Sequence, residues 1–303
     1  MVDPREPFFS IVIPTFNRPR QLAACLQSIA ELEHSRSRFE VLVVDDGSPV
    51  PVDDAVEPFR PVLPLTLLRQ DNAGPAAARN LGAGRARGTW LVFIDDDCAP
   101  AATYLTALTQ RAEVSPDCTI GGRTVNVLTE NVYSAASQLL ADYLYSHYNA
   151  DPQHARFITS NNMAVPAHLF RAIGGFDATF TRAAFEDRDF CERLVRSGHR
   201  IIYAPEVVMH HAHGMTLRKY WRQHVTYGRG AASFHDRRGH ASAAETDFEA
   251  PSFYLNLLRY PFGRRAGTSQ LRVAALFLLS QLAMIVGFAQ EHIDRLIGRH
   301  AHR

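Results

Sequence analysis

Three short apolar runs punctuate the first hundred residues: 8–13 (FFSIVI), 40–44 (EVLVV) and 91–94 (LVFI), each closed by polar residues or proline. Runs that stay apolar instead of alternating predict strands covered on both faces. Between them the period changes. Residues 19–32 put Leu22, Cys25, Leu26 and Ile29 on one helical face, and 75–87 are rich in the helix formers Ala and Arg. Strand alternating with helix predicts an α/β fold with a mainly parallel central sheet flanked by helices. The five prolines in 49–64 predict a connecting loop with room for a short helical turn.

After Pro100 the alternation weakens. The pattern predicts a helix over 103–114, a strand over 120–127 and a helix over 132–148. An extended segment with a polar middle, "RFITSNNMAVP", follows at 156–166, and a helix closed by Gly198 covers 185–198. From 216 the chain reads as helical and basic, loop-like near 236–252, then apolar.

Composition narrows the class. The 303 residues carry a formal net charge of +1 and are 46% hydrophobic, which permits a sizeable core and argues against a general nucleic-acid binder. Cys25, Cys98, Cys118 and Cys191 form no CxxC pair, so neither zinc spacing nor a disulfide scaffold is expected, and a reducing compartment fits. The N-terminal stretch lacks the basic start and long apolar run of a secretory leader.

In a parallel sheet the C-terminal strand ends gather along one edge, where ligands bind. The polar residues after the apolar runs fall there: Thr15 and Asn17, then Asp45 and Asp46, then Asp95, Asp96 and Asp97. Three adjacent carboxylates after an apolar strand need a cation, because like charges repel and an unpaired buried charge is costly. In extended backbone Asp95 and Asp97 would share one side and suit Mg²⁺ or Mn²⁺; a solvated turn capping the next helix is the simpler alternative. "DNAGPAAARNLG" (71–82) opens a helix at Gly74-Pro75 whose N–H groups suit an anion, with Arg79 a turn further on. In "FEDRDFCERL" (185–194), acids at a helix start are explained by the helix dipole alone, yet Glu186 and Asp187 together would raise each other's pKa toward useful basicity. His210, His211 and His213 follow a strand-like run, so a metal ligand and an ordinary packed imidazole both remain open. No Rossmann or Walker phosphate loop is present.

Together, "SIVIPTFNRPRQLAACLQSI", "VLVVDDGS", "DNAGPAAARNLGAGRARGTWLVFIDDD", "GGFDATF" and "EDRDFCERL" resemble the family-two glycosyltransferases, over residues 8–213. The resemblance implies the GT-A fold, with 1–215 as catalytic domain (1–100 nucleotide-sugar half, 101–215 acceptor half) and 216–303 as a helical extension. It implies Mn²⁺ or Mg²⁺ on Asp95 and Asp97, with His210 as first choice for a further ligand and His211 next. Pro14, Thr15, Asn17, Asp46, Arg79, Asp95 and Asp96 would hold the nucleotide-sugar, with Asp46 at the base. Asp187, with Glu186 beside it, would be the general base of an inverting transfer. Asn161, Asn162, Gly175 and Phe176 would build the acceptor side. Its partners would be a nucleoside-diphosphate-sugar and a carbohydrate, lipid-linked or small-molecule acceptor, in synthesis of a cell-envelope polysaccharide, glycolipid or glycosylated metabolite. The rivals are a nucleotidyltransferase of similar fold and a non-catalytic protein that keeps the fold to bind sugars.

The extension leaves three possibilities. Residues 273–289 would make an apolar helix of about 25 Å, short of a hydrocarbon core of about 30 Å and interrupted by Ser280 and Gln281. Arg264, Arg265 and Arg272 precede it, and Arg295 and Arg299 follow. Attachment to the cytoplasmic membrane surface, packing on the protein or at a homo-oligomer interface, and a true span all fit this pattern.

Overall fold

The computed structural model describes residues 7–182, 184–239, 249–263 and 269–301; Arg264 and Arg265 lie outside them. In chain order the elements are β1 (Phe9–Thr15), α1 (Pro19–Ala30), β2 (Phe39–Asp45), α2 (Asp53–Val56), β3 (Leu65–Arg69), α3 (Pro75–Arg85), β4 (Trp90–Phe93), β5 (Cys98–Pro100), α4 (Tyr104–Val114), β6 (Thr119–Asn126), α5 (Val132–Tyr148), β7 (Met163–Pro166), α6 (Ala167–Ile173), α7 (Glu186–Arg196), β8 (Ile201–His211), α8 (Leu217–Gly239), α9 (Pro251–Arg259) and α10 (Gln270–Ala301). They divide into two compact units. The first holds Met1–Val127, Tyr148–Thr181 and Glu186–Ala212; the second holds Leu128–His147, Arg182–Phe185 and His213–Arg303.

The first unit is built on one sheet of strand order β3-β2-β1-β4-β7-β6-β8-β5. Its first four strands are parallel, and the chain then turns back: β4 pairs β7 and β7 pairs β6 antiparallel, β6 pairs β8 parallel, and β8 pairs β5 antiparallel. The sheet is therefore more mixed than strand-helix alternation implies, because only the first half alternates. Every residue of β1 and β2 is buried. Leu22, Cys25, Leu26 and Ile29 of α1 share one core with Ile11, Ile13, Val41 and Val43. On the other side α3 crosses close: a Cβ on Gly82 would come 2.5 Å from Val12. Burial on both sides explains the continuous apolar runs.

Two departures have physical causes. β3 hides directly behind the proline-rich stretch as a half-exposed strand at the sheet edge, so it lacks the apolar run that marks its neighbours. The expected loop near 236 begins later, since α8 continues to Gly239.

In the second unit α8 and α10 run parallel. Tyr220 Oη donates to the Leu276 carbonyl at 3.0 Å, and Arg229 pairs with Glu291 at 2.9 Å and Asp294 at 2.6 Å. Arg295 pairs with Asp236. Glycine permits the approach: a Cβ on Gly228 would fall 2.0 Å from the Met284 carbonyl oxygen, and one on Gly287 would fall 2.0 Å from that of Val225. Tyr143, Phe253, Leu257, Val273 and Phe277 pack into a separate core. Near α8's midpoint, burial pushes His224 down to about 4, so at neutral pH its uncharged ring donates from Nδ1 to the Tyr220 carbonyl at 2.8 Å.

Candidate active site

The C-terminal ends of β1, β2 and β4 lie side by side, because these strands are neighbours and parallel. Each feeds polar residues to one edge.

At the β2 tip, Asp45 accepts from the Ser48 amide at 2.9 Å and pairs with Arg69 at 3.1 Å. Asp46 is buried, and its carboxylate is met by three donors: Gln70 Nε2 at 2.7 Å and the amides of Ala73 and Gly74, both at 2.9 Å. The Gly74 amide is at the N-cap of α3, so a carboxylate of the chain itself stands at that helix start. Gly74 sits at φ +91°, where a Cβ would meet the Thr181 carbonyl oxygen at 2.4 Å, so only glycine fits.

At the β4 tip the strand stops at Phe93, and a turn follows in which the Cys98 amide donates to the Asp95 carbonyl. The three aspartates therefore do not alternate as in extended backbone. Asp95 accepts from Arg79 Nη2 at 2.6 Å. Asp96 accepts from Thr15 Oγ1 and Arg18 Nη1, each at 2.7 Å, and Asp97 accepts from Arg18 Nη2 at 2.8 Å. Asp97 Oδ1 also lies 3.2 Å from His211 Nε2. The cation that three carboxylates require is thus a pair of arginines from distant positions. Burial pushes the Asp96 carboxyl up to about 6, opposed by Arg18 and the Thr15 hydroxyl.

Arg79 is buried and joins two elements: Nη1 donates to Glu186 at 3.0 Å while Nη2 holds Asp95. Its Nε is buried with no partner, so the guanidinium is held at its two ends only. Beside it, Asp187 accepts from the amides of Arg188 at 2.8 Å and Ser160 at 3.3 Å. Burial, foremost, raises the proton affinity of the Glu186 and Asp187 carboxyls; the Asp187 charge adds to the rise at Glu186, and Arg79 opposes it at both. Phe185, just before α7, holds φ +70°, a left-handed backbone unusual for a bulky residue and of the kind that collects at functional sites.

The remaining sequence-designated residues divide by exposure. Pro14 is buried in β1, whereas Asn17 is exposed at φ +55°, its amide donating to Ser48 Oγ at 2.8 Å. Asn161 is half-buried, but Asn162 is buried, accepting from Tyr104 Oη and donating to the Val207 carbonyl. Phe176 packs among Phe93, Phe170 and Phe190 in the core, and Asn80 grips its backbone through two hydrogen bonds, which fixes Gly175 and the loop. His210 is opposite Ala99 and His211 opposite Cys98 in the β8–β5 register, so alternation turns only one of them toward Asp97, and it is His211. Sequence reasoning missed Arg18 and Gln70. The signal for Arg18 was its place just past the β1 end, on the edge where the aspartates needed a cation.

Asp97 and His211 offer a hard oxygen and an imidazole nitrogen whose 3.2 Å separation suits neighbouring ligands of one ion with bonds of about 2.1 Å. The Asp95 carboxylate, partly exposed, is turned to Arg79 instead. The donor set fits Mn²⁺ or Mg²⁺.

Residues 10–174 match the family described as Glycosyl transferase family 2. Among curated proteins, the chain is 28% identical over 229 residues to the "Pre-mycofactocin glycosyltransferase" of Mycobacterium tuberculosis, covering 74% of this chain and 46% of that protein, so it spans about half that relative's length. It is 27% identical to "Glycosyltransferase AglE" of Haloferax volcanii, with 71% of each chain covered. Among solved structures, the mannosyltransferase PcManGT from Pyrobaculum calidifontis, in complex with GDP-Man and Mn²⁺, superposes with TM-score 0.62 at 22% identity over 97% of this chain and 81% of that one. S. aureus TarS 1-349, in complex with UDP-GlcNAc, gives TM-score 0.55 at 16% identity over 95% and 91%. These two likenesses show a shared GT-A fold.

Proposed function

The chain belongs to glycosyl transferase family 2, and from that premise we propose that it is an inverting, metal-assisted enzyme moving a sugar from a nucleoside-diphosphate-sugar to an acceptor hydroxyl. The observation that carries this reading is Arg79. One buried guanidinium holds Asp95, at the end of β4, and Glu186, beside Asp187. Donor-end carboxylates and a candidate base therefore flank a single fixed charge.

Mn²⁺ or Mg²⁺ held by Asp97 and His211 would neutralise charge developing on the departing nucleoside diphosphate. Asp96, held by Thr15 and Arg18, fixes the turn that presents its two neighbours. Asp187 takes the acceptor's proton, and the amides of Arg188 and Ser160 orient its carboxylate for that task. Its raised proton affinity makes it a stronger base than an ordinary aspartate. A single displacement on the sugar carbon opposite the leaving group inverts the anomeric centre and needs no nucleophile from the protein. Arg79 keeps Glu186 and Asp187 from holding protons too tightly. We assign the acceptor side to the loops of Asn161 and Gly175, with Asn162 and Phe176 supporting them from inside. The reaction is placed at the cytoplasmic membrane face, in synthesis of a cell-envelope polysaccharide, glycolipid or glycosylated metabolite; the four cysteines, all free, suit that reducing side.

The test is a thermal-shift screen of nucleotide-sugars with and without Mn²⁺, followed by NMR of the product. A donor that raises the melting temperature only with metal, and a product of opposite anomeric configuration, are expected. A retained configuration would overturn the mechanism.

A further inference from the structure

The second unit carries a surface that the transfer reaction does not use. At 100° per residue, Leu271, Ala275, Leu278, Leu282, Ile285, Val286, Ala289, Ile293, Leu296 and Ile297 fall on one arc of α10 about 120° wide. All are exposed, Leu271 at 73% and Ile285 and Ile297 at 64%. No Asp, Glu, Lys or Arg interrupts the arc, which runs for about 40 Å at ~1.5 Å per residue. Isolated exposed leucines are ordinary; a continuous stripe of this length marks a contact.

Charge identifies the occupant. Residues 213–303 hold 13 Lys and Arg against 6 Asp and Glu, a net +7, while the whole chain is +1. A second copy of this region would bring two strongly positive bodies together. An anionic lipid surface attracts the positive charge and accepts the apolar stripe.

The packing also fixes the orientation. A helix crossing the bilayer would take its parallel partner α8 along, and α8 carries Arg222, Arg229, Asp236 and Arg237. Tyr220 lies against Leu276 and Gly228 against Met284, so Arg222 between them would enter hydrocarbon, where a charged side chain is expensive, and the pairs Arg229–Glu291, Arg229–Asp294 and Arg295–Asp236 would sit at its boundary. Lying flat, α10 sinks only its free arc and leaves those pairs in water.

We infer that the second unit docks on anionic membrane surface through this arc of α10, which lies in the plane of the interface without spanning it. The inference deepens the placement of the reaction at a membrane and is independent of its chemistry.

The test is flotation of the full chain with phosphatidylcholine vesicles, with and without phosphatidylglycerol. Binding to the anionic vesicles is expected, falling at about 0.5 M salt. The double variant Leu282→Glu, Ile285→Glu should lose more than about tenfold of that binding while its metal-dependent nucleotide thermal shift is unchanged, since both side chains face outward. Loss of the shift with binding to vesicles intact would instead count against the proposed reaction alone. All four native cysteines are buried, so single cysteines at Leu271, Ile285 and Leu296 can carry spin labels. Equal, shallow depths are expected; a depth maximum at Ile285 would mean a span. Failure of the wild type to bind anionic vesicles would overturn the inference. So would a dimer that the double variant disrupts, which would make the arc a protein interface.

Discussion

Two acidic strand tips look alike in the sequence, Asp45-Asp46 after β2 and Asp95-Asp96-Asp97 after β4, yet their charges are satisfied in different ways. Asp46 is met by two backbone amides and a glutamine, donors fixed by the loop itself. Asp95, Asp96 and Asp97 lean on arginine side chains, and one of them, Arg18, is 41% exposed. Backbone donors cannot leave without unfolding the loop, whereas a long, partly exposed side chain can. We propose that the first tip serves as architecture and the second as a place where one cation can be exchanged for another. A residue's type thus says less about its role than whether its partners can move.

Five measurements would break or sharpen this contrast. The largest effect is expected at the far side of Arg79: Asp187→Asn should lower kcat by about a thousandfold with nucleotide-sugar affinity nearly unchanged, read by single-turnover kinetics and calorimetry. Normal turnover would require another base. Asp97→Ala should weaken metal-dependent nucleotide binding by about a hundredfold, read by calorimetry with Mn²⁺; unchanged binding would remove the exchangeable character of the β4 tip. Asp46→Ala should act on the fold, costing about 2 kcal/mol through the orphaned amides of Ala73 and Gly74, read by urea denaturation. A stable Asp46→Ala protein that no longer binds nucleotide would reverse the assignment.

Next comes the pH profile. Burial raises the proton affinity of Glu186 and Asp187, so the acid limb of kcat/KM should lie above the usual carboxylate value of about 4. Arg79 favours their charged forms. Arg79→Met should therefore raise both pKa values and move the limb to higher pH, by about half to one unit; a shift to lower pH would contradict the geometry. The smallest effect is expected for Arg18→Ala, which removes a resident cation from Asp96 and Asp97. Manganese affinity without nucleotide should rise about threefold, measured by paramagnetic resonance, and a fall would mean that Arg18 shapes the carboxylates instead of competing for them.

The fold was legible where burial is two-sided. β1, β2 and β4 show as unbroken apolar runs, and α1 shows its core stripe at Leu22, Cys25, Leu26 and Ile29. β3 was not, because a half-exposed edge strand has too few buried positions to mark a period. β8 was legible only in part: Pro205 and Glu206 lie in its middle, exposed beside the irregularity where its register with β6 shifts. At the site, the polar residues at each strand end could be read because strand ends are local. Their partners could not. Arg18 is 78 positions from Asp96, and Arg79 is 107 from Glu186.

By itself the sequence determined that β1, β2 and β4 are buried, where they end and which carboxylates stand at those ends, since these follow from side-chain polarity and short-range periodicity. It also marked 273–289 as an apolar helix, which the structure extends at both ends, from Gln270 to Ala301. Only the tertiary structure decided that Asp46 faces its own loop, that His211 and not His210 meets Asp97, and that the free arc of α10 is the one its parallel partner leaves uncovered. The reason is common to all three. A charge or an apolar face states a need through its own chemistry, but which group answers it depends on distances between residues that are remote along the chain.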